Sequence, residues 1–329
     1  MAFPKTYRAY QYENYGSLEK ELKIHDNVPQ KELGPQQVRI KVRSAAVNPI
    51  DYLLMEGLGQ AFTGKTPSAN EPFGIGYDAA GEVVEVGGDV KRLKVGDAVY
   101  AMTPFTAFGT LAEFVVVDEE CVTAKPSNLD FNEAAAVPSV ALTAYAGMVR
   151  HAKLQEGETV LILGGSSSVG MFAVQFAHAR GVRVITTTST RNIDLVKSLG
   201  ADQVIDYTKD KWLDVLEAHS VDAVYDCGME ASAWNDGAQV VLKKNTGRFI
   251  TILPMAQPVR ESEFGAQLVG EVHNTDPSAE KLDVITKYIE SGKVKPVIDT
   301  VYPFEKALDA YAKLKTRHAQ GKLLVQVQP

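Results

Sequence analysis

Thr159-Val160-Leu161-Ile162-Leu163-Gly164-Gly165-Ser166-Ser167-Ser168-Val169-Gly170 passes from an apolar run through a turn of small residues into the opening of a helix. Beyond it, Val169, Phe172, Ala173, Phe176 and Ala177 recur at the spacing of a buried helical stripe, and Gly181 stands where a C-terminal cap belongs. A strand that ends in glycines and enters a helix directly leaves unpaired backbone N–H groups converging on one point, which suits a phosphate. The spacing is Gly-x-x-Ser-x-x-Gly and not Gly-x-Gly-x-x-Gly. Ser167 stands where a glycine lets the backbone approach a pyrophosphate most closely. An ordinary small-residue turn is the alternative reading. The strand Val182-Arg183-Val184-Ile185-Thr186 follows at once and completes a βαβ unit.

The end of that second strand bears on the coenzyme. A site for NAD places an Asp or Glu about 20 residues past the fingerprint to accept the ribose 2′-OH, and a basic residue replaces it where a 2′-phosphate must fit. No acidic residue lies between Gly170 and Ile193, where the chain offers Thr187, Thr188, Ser189, Thr190, Arg191 and Asn192. Hydroxyls, an amide and a guanidinium predict NADPH, the alternative being a solvated polar turn with an incidental arginine.

The 329 residues are enough for about two domains, which would bury roughly three-quarters of their extended surface. Apolar content of 45% and charged content of 23% are those of a globular protein, and the net charge is −7. No basic run tracks a phosphate backbone, which argues against nucleic acid as a partner. The opening Met1-Ala2-Phe3-Pro4-Lys5 lacks an apolar signal core, and no apolar stretch approaches the ~20 residues of a membrane span. Two distant cysteines, Cys121 and Cys227, indicate neither a disulfide framework nor a cysteine zinc site, so a cytoplasmic, reducing compartment is expected.

From Tyr7 to Lys125 the texture is β-rich. Arg8-Ala9-Tyr10-Gln11-Tyr12, Glu21-Leu22-Lys23-Ile24, Val38-Arg39-Ile40-Lys41-Val42, Glu82-Val83-Val84-Glu85-Val86, Gly96-Asp97-Ala98-Val99-Tyr100 and Ala112-Glu113-Phe114-Val115-Val116-Val117 read as strands of a barrel-like domain. Past Pro126 an alanine-rich helical stretch over 131–149 breaks at Pro138, and from Thr159 strands alternate with helices. Strands are expected at Val204-Ile205-Asp206-Tyr207, Val221-Asp222-Ala223-Val224-Tyr225 and Gly247-Arg248-Phe249-Ile250-Thr251, and helices over 192–199, 209–218 and 231–242. Such alternation predicts an α/β fold with a doubly wound parallel sheet and ligands at its C-terminal strand ends. An irregular stretch over 254–277 precedes a helix at Ala279–Glu290, an extended segment over 297–302, a helix over 304–315 and the strand Leu323-Leu324-Val325-Gln326-Val327.

In this order the pieces resemble the medium-chain dehydrogenase/reductase superfamily, specifically its zinc-independent quinone oxidoreductase (zeta-crystallin-like) branch. The carriers are Ala46-Val47-Asn48-Pro49-Ile50-Asp51, Gly76-Tyr77-Asp78-Ala79-Ala80-Gly81-Glu82-Val83-Val84, Lys94-Val95-Gly96-Asp97-Ala98-Val99, Leu142-Thr143-Ala144-Tyr145, the glycine–serine turn, Leu199-Gly200-Ala201-Asp202 with Val204-Ile205-Asp206-Tyr207, and Gly321-Lys322-Leu323. The resemblance implies a β-rich GroES-like catalytic domain over 1–125, an NADPH-binding Rossmann domain over 126–260, and a segment over 261–329 that partly returns to the first. Zinc-dependent relatives carry a Cys in the segment matching 46–51 and Gly-His-Glu where this chain has Gly76-Tyr77-Asp78. Neither is present, and His25, His151, His178, His219, His273 and His318 show no ligand spacing, so no metal is expected.

Hydride addition to a conjugated acceptor makes fewer demands than ketone reduction, because the arriving charge spreads into an enolate-like system that one or two neutral donors stabilise. By similarity Asn48 would hold the acceptor oxygen and Tyr52 would donate a hydrogen bond or proton, with Tyr77 lining the pocket. Similarity assigns the pyrophosphate to Ser166, Ser167, Ser168 and Val169, between Gly164 and Gly170. It assigns the 2′-phosphate region to Ser189, Asn192 and Tyr207, with Arg191 as charge partner, and the ribose to Thr143. Cys227 and Leu253 would fall on the nicotinamide side, and Lys322 would reach a phosphate. For several of these a packing or turn-forming role is the competing reading: Asn48-Pro49 as a turn, Tyr52 as a packed aromatic, Cys227 as a small buried hydrophobe.

The expected activity is NADPH-dependent reduction of a small-molecule quinone or related conjugated carbonyl. The alternatives are an enoyl-thioester or alkenal double-bond reductase and an NADPH-binding sensor or structural protein with little turnover. A homodimer is expected by similarity. A hydrogen bond to a charged group is worth about 1.5–3 kcal/mol. The kcat/KM for NADPH should therefore exceed that for NADH by roughly ten- to a hundredfold, measured with both coenzymes against one acceptor; equal values would remove the reading of residues 187–192.

Overall fold

Alternation of apolar and polar residues in the N-terminal third produces eight strands: β1 (Thr6–Tyr12), β2 (Lys23–Pro29), β3 (Gln37–Ala46), β4 (Phe73–Gly74), β5 (Asp78–Val86), β6 (Ala98–Met102), β7 (Phe114–Asp118) and β8 (Val122–Ala124). The computed structural model describes residues 4–105, 109–271 and 276–328. It divides the chain into a first unit of Met1–Ser139, Asp276–Glu290 and Pro296–Pro329 and a second of Val140–Thr275 and Ser291–Lys295.

The second unit is a parallel sheet of β9 (Thr159–Leu163), β10 (Arg183–Thr188), β11 (Gln203–Asp206), β12 (Ala223–Asp226), β13 (Arg248–Thr251) and β14 (Gln267–Glu271). Its strand order is β11-β10-β9-β12-β13-β14, the Rossmann order whose direction of winding reverses between β9 and β12. Val160, Leu161, Ile162 and Leu163 are fully buried, as a strand covered on both faces requires. The crossover from β9 to β10 is the helix Ser168–Ala179, and Gly181 follows it with φ +72°, as its expected capping role demands.

Strands β15 (Ile298–Pro303) and β16 (Lys322–Gln326) bring the chain back to the first unit. There a seven-stranded sheet is built on β3, which is long enough to serve two partners on one edge. Residues Gln37 to Lys41 pair with β7 and residues Ser44 to Ala46 pair with β16, while β5 lies along the other edge. Val38, Ile40, Val42, Val83, Val99, Val115 and Val325 fill the core against this sheet.

Several expectations differ from the structure in instructive ways. The first unit continues past Lys125 to Ser139, because the helix Phe131–Ala135 buries Ala134 and Ala135 against β3 and β5. Of the segment over 261–329, Asp276–Glu290 and Pro296–Pro329 group with the first unit. Residues Ser291–Lys295 belong to the second unit, where the Gln175 side chain bonds both the N–H and the C=O of Lys295. The irregular stretch after Pro254 contains β14; residues 272–275, and His273 with them, lie outside the described residues. The helix expected over 209–218 is the single turn Trp212–Val215, and that over 231–242 is interrupted at Gly237, whose φ is 170°. Leu18–Glu21 is a helical turn, so β2 begins only at Lys23.

Leu161 is fully buried in the central strand of the second unit. Leu161→Ala should lower that unit's stability by about 2–5 kcal/mol, read as a lower denaturant midpoint in a titration followed by far-UV circular dichroism.

Candidate active site

In the first unit, a polar cluster forms at one end of β3. Ala46 pairs with Leu324 on one side and with Asp78 on the other, so β16 and β5 bring Lys322 and Asp78 to the end of the strand that leads into Asn48. Ser139 joins them from the helix Pro138–Tyr145. Asn48, Asp78 and Lys322 are 5%, 0% and 3% exposed. Lys322 Nζ donates to Asn48 Oδ1 at 2.6 Å and lies 3.4 Å from both Val47 O and Asp78 Oδ2. Asn48 Nδ2 donates to Asp78 Oδ2 at 2.9 Å, and Ser139 anchors the same carboxylate through its N–H (2.8 Å) and Oγ (2.6 Å). An ammonium only donates and a carboxylate only accepts, so the orientation of the Asn48 amide follows from its neighbours. Its second Nδ2 hydrogen has no partner among the described residues.

Asn48 also begins the helix Pro49–Leu53, with Pro49 at the first helical position, where a missing N–H is harmless. Asp51 Oδ2 accepts the Asn48 N–H at 2.9 Å and the Tyr311 hydroxyl at 2.8 Å, while the buried Oδ1 has no partner among the described residues. Burial pushes the Asp51 carboxyl up to about 7, against the lowering effect of its bonds to Asn48 and Tyr311. Tyr52 is half-buried, with Lys315 Nζ 5.5 Å from its ring centroid. Tyr77 is 1% exposed and packs edge-to-face on Phe105, and burial raises its phenol well above the usual range.

In the second unit, the glycine–serine turn has the geometry that a phosphate elbow needs. Gly164 takes φ +83°, and a Cβ on Gly170 would lie 2.2 Å from Gly164 O, so glycine alone lets the helix start against the turn. Gly164 and Gly165 donate their N–H groups to Thr187 Oγ1 and Thr187 O, both at 3.0 Å, which anchors the turn to β10. Ser167 is the helix N-cap: its Oγ accepts from Gly170 N at 3.0 Å and its own N–H bonds Gly164 O. With Ser167 so engaged, the Ser168 and Val169 N–H groups of the first helical turn, together with Ser166, are the groups that could hold a phosphate.

At the end of β10, Ser166 Oγ accepts from Thr188 Oγ1 (2.7 Å) and from Asn192 Nδ2 (3.0 Å), drawing the expected 2′-phosphate region against the turn. Arg191 and Tyr207 are exposed and Asn192 is buried. Strand pairing sets Asp206 beside Thr188, an acidic neighbour that the sequence around the turn does not reveal. Its carboxylate accepts from the Thr190 and Thr208 hydroxyls, the Thr208 N–H and Lys209, and these bonds hold it well below the usual carboxylate range. Thr143 offers its carbonyl to the Tyr225 hydroxyl at 3.3 Å. Cys227 is 5% exposed, and burial raises its thiol far above the ordinary value, in keeping with its reading as a small buried hydrophobe. Leu253 is exposed and rests on Gly228.

The structure thus gathers Gly164, Ser166, Ser167, Ser168, Val169, Gly170, Ser189, Arg191, Asn192 and Tyr207 around one corner of the second unit's sheet, and Asn48 with Lys322 in the first unit. For Lys322 the expectation of a phosphate partner is corrected: its ammonium is buried on Asn48 and Asp78. Asp51, Asp78, Ser139 and Tyr311 were not foreseen as site residues. The spacing Asn48-x-x-Asp51 is a readable helix-start signal, whereas Asp78 and Ser139 lie 30 and 91 residues from Asn48 and leave no local trace. Among the described residues no three His, Cys, Asp or Glu side chains converge to hold a metal ion. Tyr77, which the resemblance sets against a zinc-ligating histidine of zinc-dependent relatives, is a packed, protonated phenol, so the described residues do not fit a catalytic zinc.

Because the folded-state value of Asp51 lies above its unfolded one, the folded chain holds that proton more tightly. Its contribution is complete below the ordinary carboxylate range and is lost as pH rises from about 4 to about 7. Asp51→Asn removes this dependence. Thermal melts should show the variant gaining on the parent between roughly pH 4 and roughly pH 7; a constant difference in melting temperature would contradict a proton held on Asp51.

Residues 199–325 match the family described as Zinc-binding dehydrogenase, and residues 34–127 match that described as Alcohol dehydrogenase GroES-like domain. The chain is 38% identical to 2-methylene-furan-3-one reductase of Solanum lycopersicum and 37% identical to the chloroplastic NADPH-dependent alkenal/one oxidoreductase of Arabidopsis thaliana, covering 100% of this chain and 81% of each relative. The solved quinone oxidoreductase of Coxiella burnetii superposes with a TM-score of 0.86 at 30% identity, over 98% of this chain and 100% of that one. A parallel nucleotide-binding sheet, a separate GroES-like unit and this degree of identity make the chain an oxidoreductase of the medium-chain dehydrogenase/reductase superfamily, among relatives named for quinone and alkenal reduction.

Proposed function

We propose that the chain is an NADPH-dependent reductase that adds hydride to a quinone or a closely related enone. The observation that carries this reading is the Asn48 amide: a neutral donor fixed in orientation by buried charges, in a chain whose residues do not fit a zinc. A bound reduced nicotinamide supplies the hydride. As the acceptor takes it up, negative charge collects on the carbonyl oxygen and spreads over the conjugated system, where the remaining Nδ2 hydrogen of Asn48 can stabilise it. Tyr52, whose hydroxyl has no partner among the described residues, is the proposed proton donor to the resulting anion.

On the second unit, Ser166 and the Ser168 and Val169 N–H groups would hold the pyrophosphate, and Ser189, Arg191, Asn192 and Tyr207 the 2′-phosphate. The preference for NADPH is supported by the occupied state of Asp206, whose oxygens already serve Thr190, Thr208 and Lys209 and so leave little capacity to accept a ribose 2′-OH. Among the described residues no helix is long and apolar enough to cross a membrane. The free, buried Cys121 and Cys227 are consistent with the reducing, cytoplasmic setting proposed. A homodimer through an edge of the cofactor sheet, where β14 lies, remains part of the reading by similarity.

A second reading, reduction of an alkenal or enoyl-thioester double bond with the same residues, is favoured by the two relatives at 37–38% identity, which are named for furanone and alkenal/one substrates. NADPH oxidation against 1,4-naphthoquinone, 9,10-phenanthrenequinone, a 2-alkenal and crotonyl-CoA separates the two. Turnover with the quinones is expected; turnover confined to the alkenal or the thioester transfers the assignment to the second reading, and none at all leaves an NADPH-binding protein with a sensing or structural role. In the same assay Asn48→Ala should lower kcat by roughly a hundredfold at saturating NADPH.

A further inference from the structure

We propose that Lys322 is a positioning residue that polarises the Asn48 amide and so sets its strength as a hydrogen-bond donor to the acceptor. The inference rests on the reading of Asn48 as the donor and deepens it. A cation on an amide oxygen favours the resonance form with a C=N bond and charge on oxygen, which leaves the N–H hydrogens more positive and the amide harder to rotate. Lys322 Nζ is 2.6 Å from Asn48 Oδ1 and 3% exposed, so water scarcely screens it. Asp78 supplies the complementary restraint by taking one Nδ2 hydrogen at 2.9 Å, and Ser139 keeps that carboxylate from turning away with bonds of 2.8 and 2.6 Å. One face of the amide is charged and the other is pinned. The remaining hydrogen is directed by the covalent plane of the group.

A buried ion pair that merely holds β16 to β3 would account for the same distances, and the test separates the two roles. Lys322→Met leaves Asp78 buried without its counter-ion, so the double variant Lys322→Met with Asp78→Asn serves as the charge-free companion. Two readouts are taken. The first is the side-chain amide signal of Asn48 in a ¹⁵N–¹H correlation spectrum, identified by its loss in Asn48→Ala. The second is kcat for the acceptor beside KM for NADPH. The expected result is an upfield move of the Asn48 amide hydrogens in both variants, with kcat lowered roughly tenfold, less than the loss from removing a donor outright, and KM for NADPH unchanged.

An Asn48 signal that stays in place overturns the proposal, and so does one that moves while kcat holds. If neither variant folds, the wild-type spectrum decides, because an Asn48 signal lying among those of solvent-exposed asparagines is incompatible with a polarised amide. A wild type that turns over neither quinone nor alkenal overturns the functional reading instead, and the resonance still reports whether Lys322 acts on the amide.

Discussion

Burying an ammonium and a carboxylate together is the constraint on which the first unit turns. Each ion loses several kcal/mol of hydration, and the pair is tolerated only where geometry and extra hydrogen bonds restore what water gave. Lys322 and Asp78 meet these terms through the Asn48 amide, which accepts from one and donates to the other, and through Ser139, which satisfies the carboxylate from a third direction. The strand register that places both ions at the end of β3 is thereby fixed chemically as well as by packing. A slip of one residue in β16 would point Lys322 to the opposite face of the sheet.

The second unit handles charge in the opposite manner. Its elbow is built from neutral dipoles, with Gly164 and Gly165 tied to Thr187, Ser167 closing the helix start, and the Ser168 and Val169 N–H groups left over. Asp206, which strand pairing sets beside Thr188, is held by hydroxyls and Lys209. Directed backbone donors at a helix start favour an anion, and the bonds Asp206 already makes occupy its oxygens.

What could be read from the sequence follows from how far each signal reaches along the chain. The elbow, its helix and the helix Ala279–Glu290 are written in spacings of a few residues, and the structure has them where the pattern puts them. Asn48 could be singled out, but its partners could not, because Asp78, Ser139 and Lys322 converge only through the pairing of β5 and β16 with β3. Lys322 was misjudged on that account: a lysine viewed alone suggests a phosphate, and the carboxylate it faces is 244 residues away. Asp206 escaped notice in a like manner, because the sequence holds no acid in the loop after β10 and the neighbouring strand supplies one.

The sequence separation of 274 between Asn48 and Lys322 also imposes an order of events on a chain emerging from the ribosome. Asn48 and Asp78 are synthesised early, and the contiguous stretch 140–271 that builds most of the second unit appears before β16 exists. During that interval Asp78 has no ammonium to meet, and a carboxylate without its counter-ion resists burial. The GroES-like unit must therefore wait, its sheet open along the far half of one edge of β3, until the final strand arrives, while the nucleotide-binding unit already has most of what it needs to fold.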